Sequence, residues 1–178
     1  VFINKMDATG ADFYMATETI YKRLGAKAAP IQLPIGVENY FDGLIDLVER
    51  KAYSFAKDLK SKDEEIAIPA DMEEKVELYR MQLLEMVADF DEDLMMMILE
   101  REEPTVDQIK AAIRKATIAR NIVPVLCGTA FRNKGVQPLL DAIVDYLPSP
   151  LDVPSVVGTK PRSDEEITRE SSDDEVFA

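Results

Sequence analysis

Apolar positions along this chain switch between two periods, and the switches mark its elements. Val1 to Ile3 form a short apolar run with the character of a buried strand end. Phe13, Thr17, Ile20 and Leu24 then recur at helical spacing, and Gly25 supplies a stop. Ile31, Leu33 and Ile35 alternate, the period of a half-buried strand, with Pro34 suggesting an edge. The stretch "FDGLIDLVERKAYSF" predicts one or two further strands with Gly43 at a turn, and residues 57–65 read as a charged loop.

Three helices follow. The first is predicted to start near Asp71, where Asp71 and Glu74 have capping-box spacing. Its apolar stripe is Met72, Val76, Tyr79, Leu83, Met86 and Phe90. A short helix covers "EDLMMMILE", whose methionines suit core filling. The third is announced by Pro104 and Thr105, with Thr105 capping toward Gln108 and a buried line through Val106, Ile109, Ile113 and Ala116. "IVPVLCGTA" returns to strand character. A last helix runs from about Gly135 to Leu147, with Val136, Leu140, Ile143 and Leu147 on one face, and prolines end it. Beyond Ser155 the chain is polar and charged, as in a linker or the opening of another domain.

Charge sharpens this picture. The chain of 178 residues carries 34 acidic and 21 basic residues, a net −13. Seventeen of the acids fall between Asp58 and Asp107, against five basic residues. Such acidity speaks against direct nucleic-acid binding by this part and suits either solvated helix faces or a basic protein partner. No run approaches the roughly 20 apolar residues of a membrane span, so no membrane contact is expected. The single cysteine, Cys127, excludes an internal disulfide and fits a reducing, cytoplasmic setting. The absence of His removes the commonest general base and metal ligand. The residues indicate neither a catalytic group nor a metal site.

Candidate chemistry begins at Asn4, Lys5 and Asp7, an N-K-x-D string directly after the first apolar run. A carboxylate such as Asp7 accepts from both N1–H and the exocyclic amine of guanine. Adenine presents an acceptor there and leaves the carboxylate poorly paired. Asn4 suits donation to the base N7 and bracing of neighbouring loops, and Lys5 can lay its aliphatic stem along the base. The same residues also suit a polar turn that caps the next helix. A second loop favours the first reading: Gly128, Thr129 and Ala130 follow another buried strand, and small side chains let backbone N–H groups approach a base. No two of the seven glycines have the spacing of a phosphate-binding P-loop.

Taken together, "INKMDATGADF", "PIQLPIGVENYFDGLIDLV", "IPADM" and "CGTAFRNKGVQPLLDAIVDYLPSPLDVP" resemble the bacterial elongation factor G family over nearly the whole chain. Thr129 stands where that family usually has Ser. The resemblance implies an α/β fold: part of a P-loop-GTPase-type G domain, two strands with flanking helices, carrying an inserted α+β subdomain of a small sheet and about three helices. It implies G-domain segments at 1–29 and 123–148, the insert at 30–122, and a linker with the start of a second domain at 149–178. It further implies a GTP- or GDP-binding parent that drives ribosomal translocation, with magnesium and the catalytic His held in a region upstream of this chain. Val1 is then not a natural start, and this piece alone is expected to be inactive. In the family the insert contacts the large-subunit stalk protein of the ribosome, which makes Glu73, Glu74 and Glu77 candidate contacts. Sibling readings are peptide-chain release factor 3 and ribosomal protection proteins; a non-catalytic interaction module is the reading from another class.

Overall fold

The computed structural model describes residues 1–56, 63–152, 155–159 and 166–169. Val1–Tyr146 pack as one compact unit and Leu147–Ala178 as another.

The first unit is built around a three-stranded parallel sheet. Strand β1 (Phe2–Ile3) pairs with β7 (Val123–Cys127), and β7 pairs on its other side with β2 (Ala28–Pro30). The third strand, β2, is not legible in the sequence; its three residues are too few to display a period. Pro124 sits inside the central strand without disrupting it. The β7 donors that face β1 are Leu126 and Gly128, bonded to the carbonyls of Val1 and Ile3. Pro124, which has no N–H, takes part on that side only through its carbonyl, which accepts from the Val1 amino group at 2.7 Å.

From β2 the chain continues almost directly into a four-stranded antiparallel sheet, ordered β3 (Gln32–Ile35), β4 (Gly43–Asp46), β5 (Lys51–Ser54), β6 (Glu64–Ile66). Ile31 joins the two sheets: its N–H donates to Val125 O, and its carbonyl accepts from Leu47 N–H. Pro34 is on the edge strand, as expected. The turn between β4 and β5 lies at 47–50, so Gly43 is the first residue of a strand rather than a turn residue. The expected loop at 57–65 is corrected at its end, where Glu64 and Glu65 pair with β5; residues 57–62 lie outside the described residues. A period-2 pattern does not mark β6, because all three of its side chains are exposed.

Among the described residues, five α-helices complete the architecture. Helix α1 (Phe13–Leu24) starts where Asp12 accepts from Met15 N–H and ends at Gly25. Helix α2 (Glu73–Ala88) starts two residues later than predicted, and no side chain caps it, so the expected Asp71–Glu74 capping box is not formed. Helix α3 (Glu92–Leu99) buries Leu94. Helix α4 (Val106–Ile118) has the predicted capping box, with Gln108 N–H to Thr105 Oγ1 at 3.3 Å and Thr105 N–H to Gln108 Oε1 at 2.9 Å. It buries Ile109, Ala112, Ile113 and Ala116.

Helix α5 (Val136–Tyr146) departs from its predicted face. Ala142 and Tyr146 are buried, whereas Leu140, Ile143 and Val144 are exposed. The packing partner of α5 in this unit is α4, which meets a different stripe of the helix.

The second unit contains an antiparallel pair, β8 (Val156–Thr159) with β9 (Glu166–Arg169). The polar composition of this region predicts no such elements. The remainder of the polar tail, including its closing "SDDEVFA", lies outside the described residues.

Candidate functional site

Two loops meet at the carboxyl ends of β1 and β7, where open α/β sheets commonly place ligands. Because the strands are adjacent and parallel, with Ile3 opposite Cys127, the residues just after each strand become neighbours. Asn4, Lys5 and Asp7 come from the first loop, and Gly128, Thr129 and Ala130 from the second. All six sequence-derived candidates are therefore gathered on one edge.

The loops are laced together. Asn4 Oδ1 accepts from Lys5 N–H at 2.8 Å and from Ala130 N–H at 3.0 Å. Asp7 N–H donates to Thr129 Oγ1 at 3.3 Å, while the Thr129 hydroxyl donates to Asp7 Oδ1 at 3.1 Å. Met6 N–H donates to Gly128 O at 3.1 Å. Lys5 has φ 61, a left-handed turn that directs the chain from the strand into the loop.

Gly128 is required by space. A Cβ there would stand 2.5 Å from both Lys134 O and the Phe2 ring. The expectation that small residues permit close backbone approach holds, but the close neighbours are protein groups. Likewise the N–H groups of Gly128, Thr129 and Ala130 are all bonded within the protein, to Ile3 O, Lys134 O and Asn4 Oδ1. Ala130 is exposed, whereas Gly128 and Thr129 are buried.

Three residues of the site carry no signal in the sequence pattern. Arg132, in the 3-10 turn Ala130–Arg132, places Nε 2.9 Å from Asp7 Oδ2. Lys134 Nζ donates to Phe41 O and lies 3.4 Å from Asp42 Oδ1. It also sits near the faces of the Phe41 and Phe55 rings, tying the second loop to the antiparallel sheet. Glu38 Oε1 accepts from Gly10 N–H at 2.7 Å, bracing the first loop. Glu38 comes from the long stretch between the two loops. Arg132 and Lys134 follow Ala130 closely, and only that proximity could have singled them out.

The acidic candidates occupy the start of α2. Glu73 and Glu74 are exposed; Glu77 is ion-paired with Arg50. Beside them, buried Arg80 donates to Leu47 O and Val48 O and pairs with Glu103 at 2.8 Å, anchoring α2 to the β4–β5 turn.

Other titratable groups are structural. Burial pushes the Cys127 thiol up to about 12, which leaves it protonated and unreactive at neutral pH. Burial also raises the Asp46 carboxyl, although Val48 and Glu49 N–H groups bond it. Among the described residues, no group of three or more His, Cys, Asp or Glu is placed to hold a metal. None of the helices there is long and apolar enough to cross a membrane.

Comparison with known proteins agrees with this geometry. Residues 1–149 match the family model described as "Elongation factor Tu GTP binding domain". A crystal structure from Thermus thermophilus is 33% identical, with a TM-score of 0.74, over 85% of this chain. The match covers 22% of that Thermus chain, so the present chain spans about a fifth of its length. By its sequence match, and with the paired-loop geometry in agreement, this chain belongs to the elongation factor Tu GTP-binding domain family of translational GTPases.

Proposed function

We propose that the chain supplies the guanine-reading half of a nucleotide site in a translational GTPase of the elongation factor G type. The observation that carries this is the pair of hydrogen bonds between Asp7 and Thr129, which holds the Asp7 carboxylate at the open edge of the sheet. Asp7 accepts N1–H and the exocyclic amine of guanine, a charge-assisted pairing that adenine cannot offer. Asn4 uses its Oδ1 to brace the loops and keeps its amide N–H groups for N7. Lys5 covers one face of the base. The guanine O6 approaches the loop at Ala130, where Gly128 and Thr129 shape the backbone behind it. The nucleotide is GTP or GDP, and its phosphates and magnesium are held by residues outside this chain.

The antiparallel sheet with α2, α3 and α4 serves as the inserted subdomain, at 30–122, and its acidic helix start is the ribosomal contact. Glu73 and Glu74 are exposed for a partner such as the globular end of the stalk protein; Glu77 contributes while paired to Arg50. The remaining boundaries follow: G-domain segments at 1–29 and 123–148, then the opening of a further domain at 149–178.

Titrating the labelled chain with guanosine and with adenosine tests the base site. Guanosine is expected to shift the Asp7 and Ala130 amides, with adenosine inert. Asp7→Asn should cost about 1–3 kcal/mol of guanine preference, the worth of a charge-assisted bond. Equal responses to both nucleosides would sink the reading. Mixing with the stalk protein's globular domain at low salt tests the insert, because opposite charges attract most there.

A further inference from the structure

Arg132 is outside the six residues expected to read the base, yet it bonds the one carboxylate that does the reading. Its Nε stands 2.9 Å from Asp7 Oδ2, with the Asp7 side chain 16% exposed and that of Arg132 55% exposed. A carboxylate so far removed from water needs a counter-charge whenever no ligand supplies donors. Both of its oxygens are accordingly occupied, one by the Thr129 hydroxyl, which is buried and fixed, the other by a solvent-facing cation.

We propose that Arg132 is a latch on the base site: it holds Asp7 Oδ2 in the base-free chain and yields it to the two donors of guanine. This rests on the base-reading role given to Asp7 above. The exchange replaces one charge-assisted pair by another, so guanine entry leaves Asp7 satisfied. The displaced guanidinium keeps an anionic setting, since Arg132 also lines a cavity of about 720 Å³ that carries Asp141 and Asp145. Adenine gains nothing from the exchange. To enter, it must expel the same cation and then face the bare carboxylate with an acceptor, so the discrimination stays with the carboxylate and the latch sets the affinity.

The test uses the nitrogen-labelled 178-residue chain with guanosine, an uncharged probe that salt does not act on directly. The Arg132 Nε–H resonance is expected to be protected in the free chain. It should lose protection on saturation with guanosine, and in Asp7→Asn. Arg132→Gln should tighten guanosine about two- to fivefold, the size of a part-exposed ion pair, and leave the guanosine-over-adenosine ratio unchanged. Raising salt should tighten guanosine for the native chain but not for Arg132→Gln. Equal or weaker guanosine binding by Arg132→Gln overturns the latch, as does an Nε–H signal indifferent to Asp7→Asn. If neither protein responds to guanosine while Asp7→Asn still releases the Nε–H, the base-reading role itself has failed, and the latch falls with it.

Discussion

Asp7 and Thr129 stand 122 positions apart in the chain and bond each other twice, the amide of one to the hydroxyl of the other and that hydroxyl back to the carboxylate. One oxygen atom, Thr129 Oγ1, is both acceptor and donor. It therefore fixes the position of the loop and the rotation of the carboxylate together. Thr129→Val keeps the shape but removes both bonds and strands the part-buried Asp7 N–H. It should destabilise the chain by about 1–3 kcal/mol in urea unfolding, and Thr129→Ser should recover most of the loss. A valine variant as stable as the parent would show that the two loops are held by other contacts.

Gly128→Ala tests the closeness of the loops directly. The added methyl would meet the Lys134 backbone carbonyl and the tip of the Phe2 ring at 2.5 Å, and the carbonyl is not the free end of a flexible chain. Overpacking of this kind should cost about 1–3 kcal/mol and lower the melting temperature. Because Phe2 lies on β1, the amide signals of Ile3 and Asn4 should move as well.

Far from the base loops in sequence, Arg80 carries the join between α2 and the β4–β5 turn. It is 5% exposed and donates to two carbonyls of that turn. Arg80→Ala leaves both acceptors buried, at about 1–3 kcal/mol each. Loosening should show first as faster amide hydrogen exchange in α2 and the turn, with β1 and β7 less affected.

Asp46 predicts a dependence on pH. Burial raises its carboxyl above the ordinary value, an effect added to by Glu49 and opposed by the Glu49 and Val48 amides and by Lys110. A group whose folded value is raised contributes stability fully below its unfolded value, and that contribution is lost as pH rises through the folded value. Asp46→Asn keeps an oxygen for the two amides but has no proton to lose. Its melting temperature should therefore match the parent near pH ~3 and exceed it at about pH 7. A constant difference across that range would mean that Asp46 is not strained by its ionisation.

The N-K-x-D string and its partner loop were legible because they are local. Asn4, Lys5 and Asp7 lie within one short stretch, and Gly128, Thr129 and Ala130 are consecutive, each set directly after an apolar run. Helix α4 was equally legible, since Thr105 and Gln108 complete a capping box within one turn. The insert's bracing of the site was not. Lys134 reaches Phe41 across 93 positions, and Glu38 reaches Gly10 across 28. Pattern reading has no access to such pairs, because periodicity reports which face of an element is apolar, not what comes to lie against it.

The amino-acid sequence by itself determined the helices, the longer strands and the hydrogen-bonding groups of the two loops, because hydrogen-bond capacity and period are properties of short stretches. Only the tertiary structure decided that β1 and β7 are neighbours, that a third strand joins them, and that Arg132 closes on Asp7. It also decided which side of α5 is covered: its apolar residues permit more than one buried stripe, and α4 meets the one through Ala142 and Tyr146. The physical reason is that burial belongs to pairs of surfaces. A chain writes out one member of each pair at a time, and folding brings the other from many residues away.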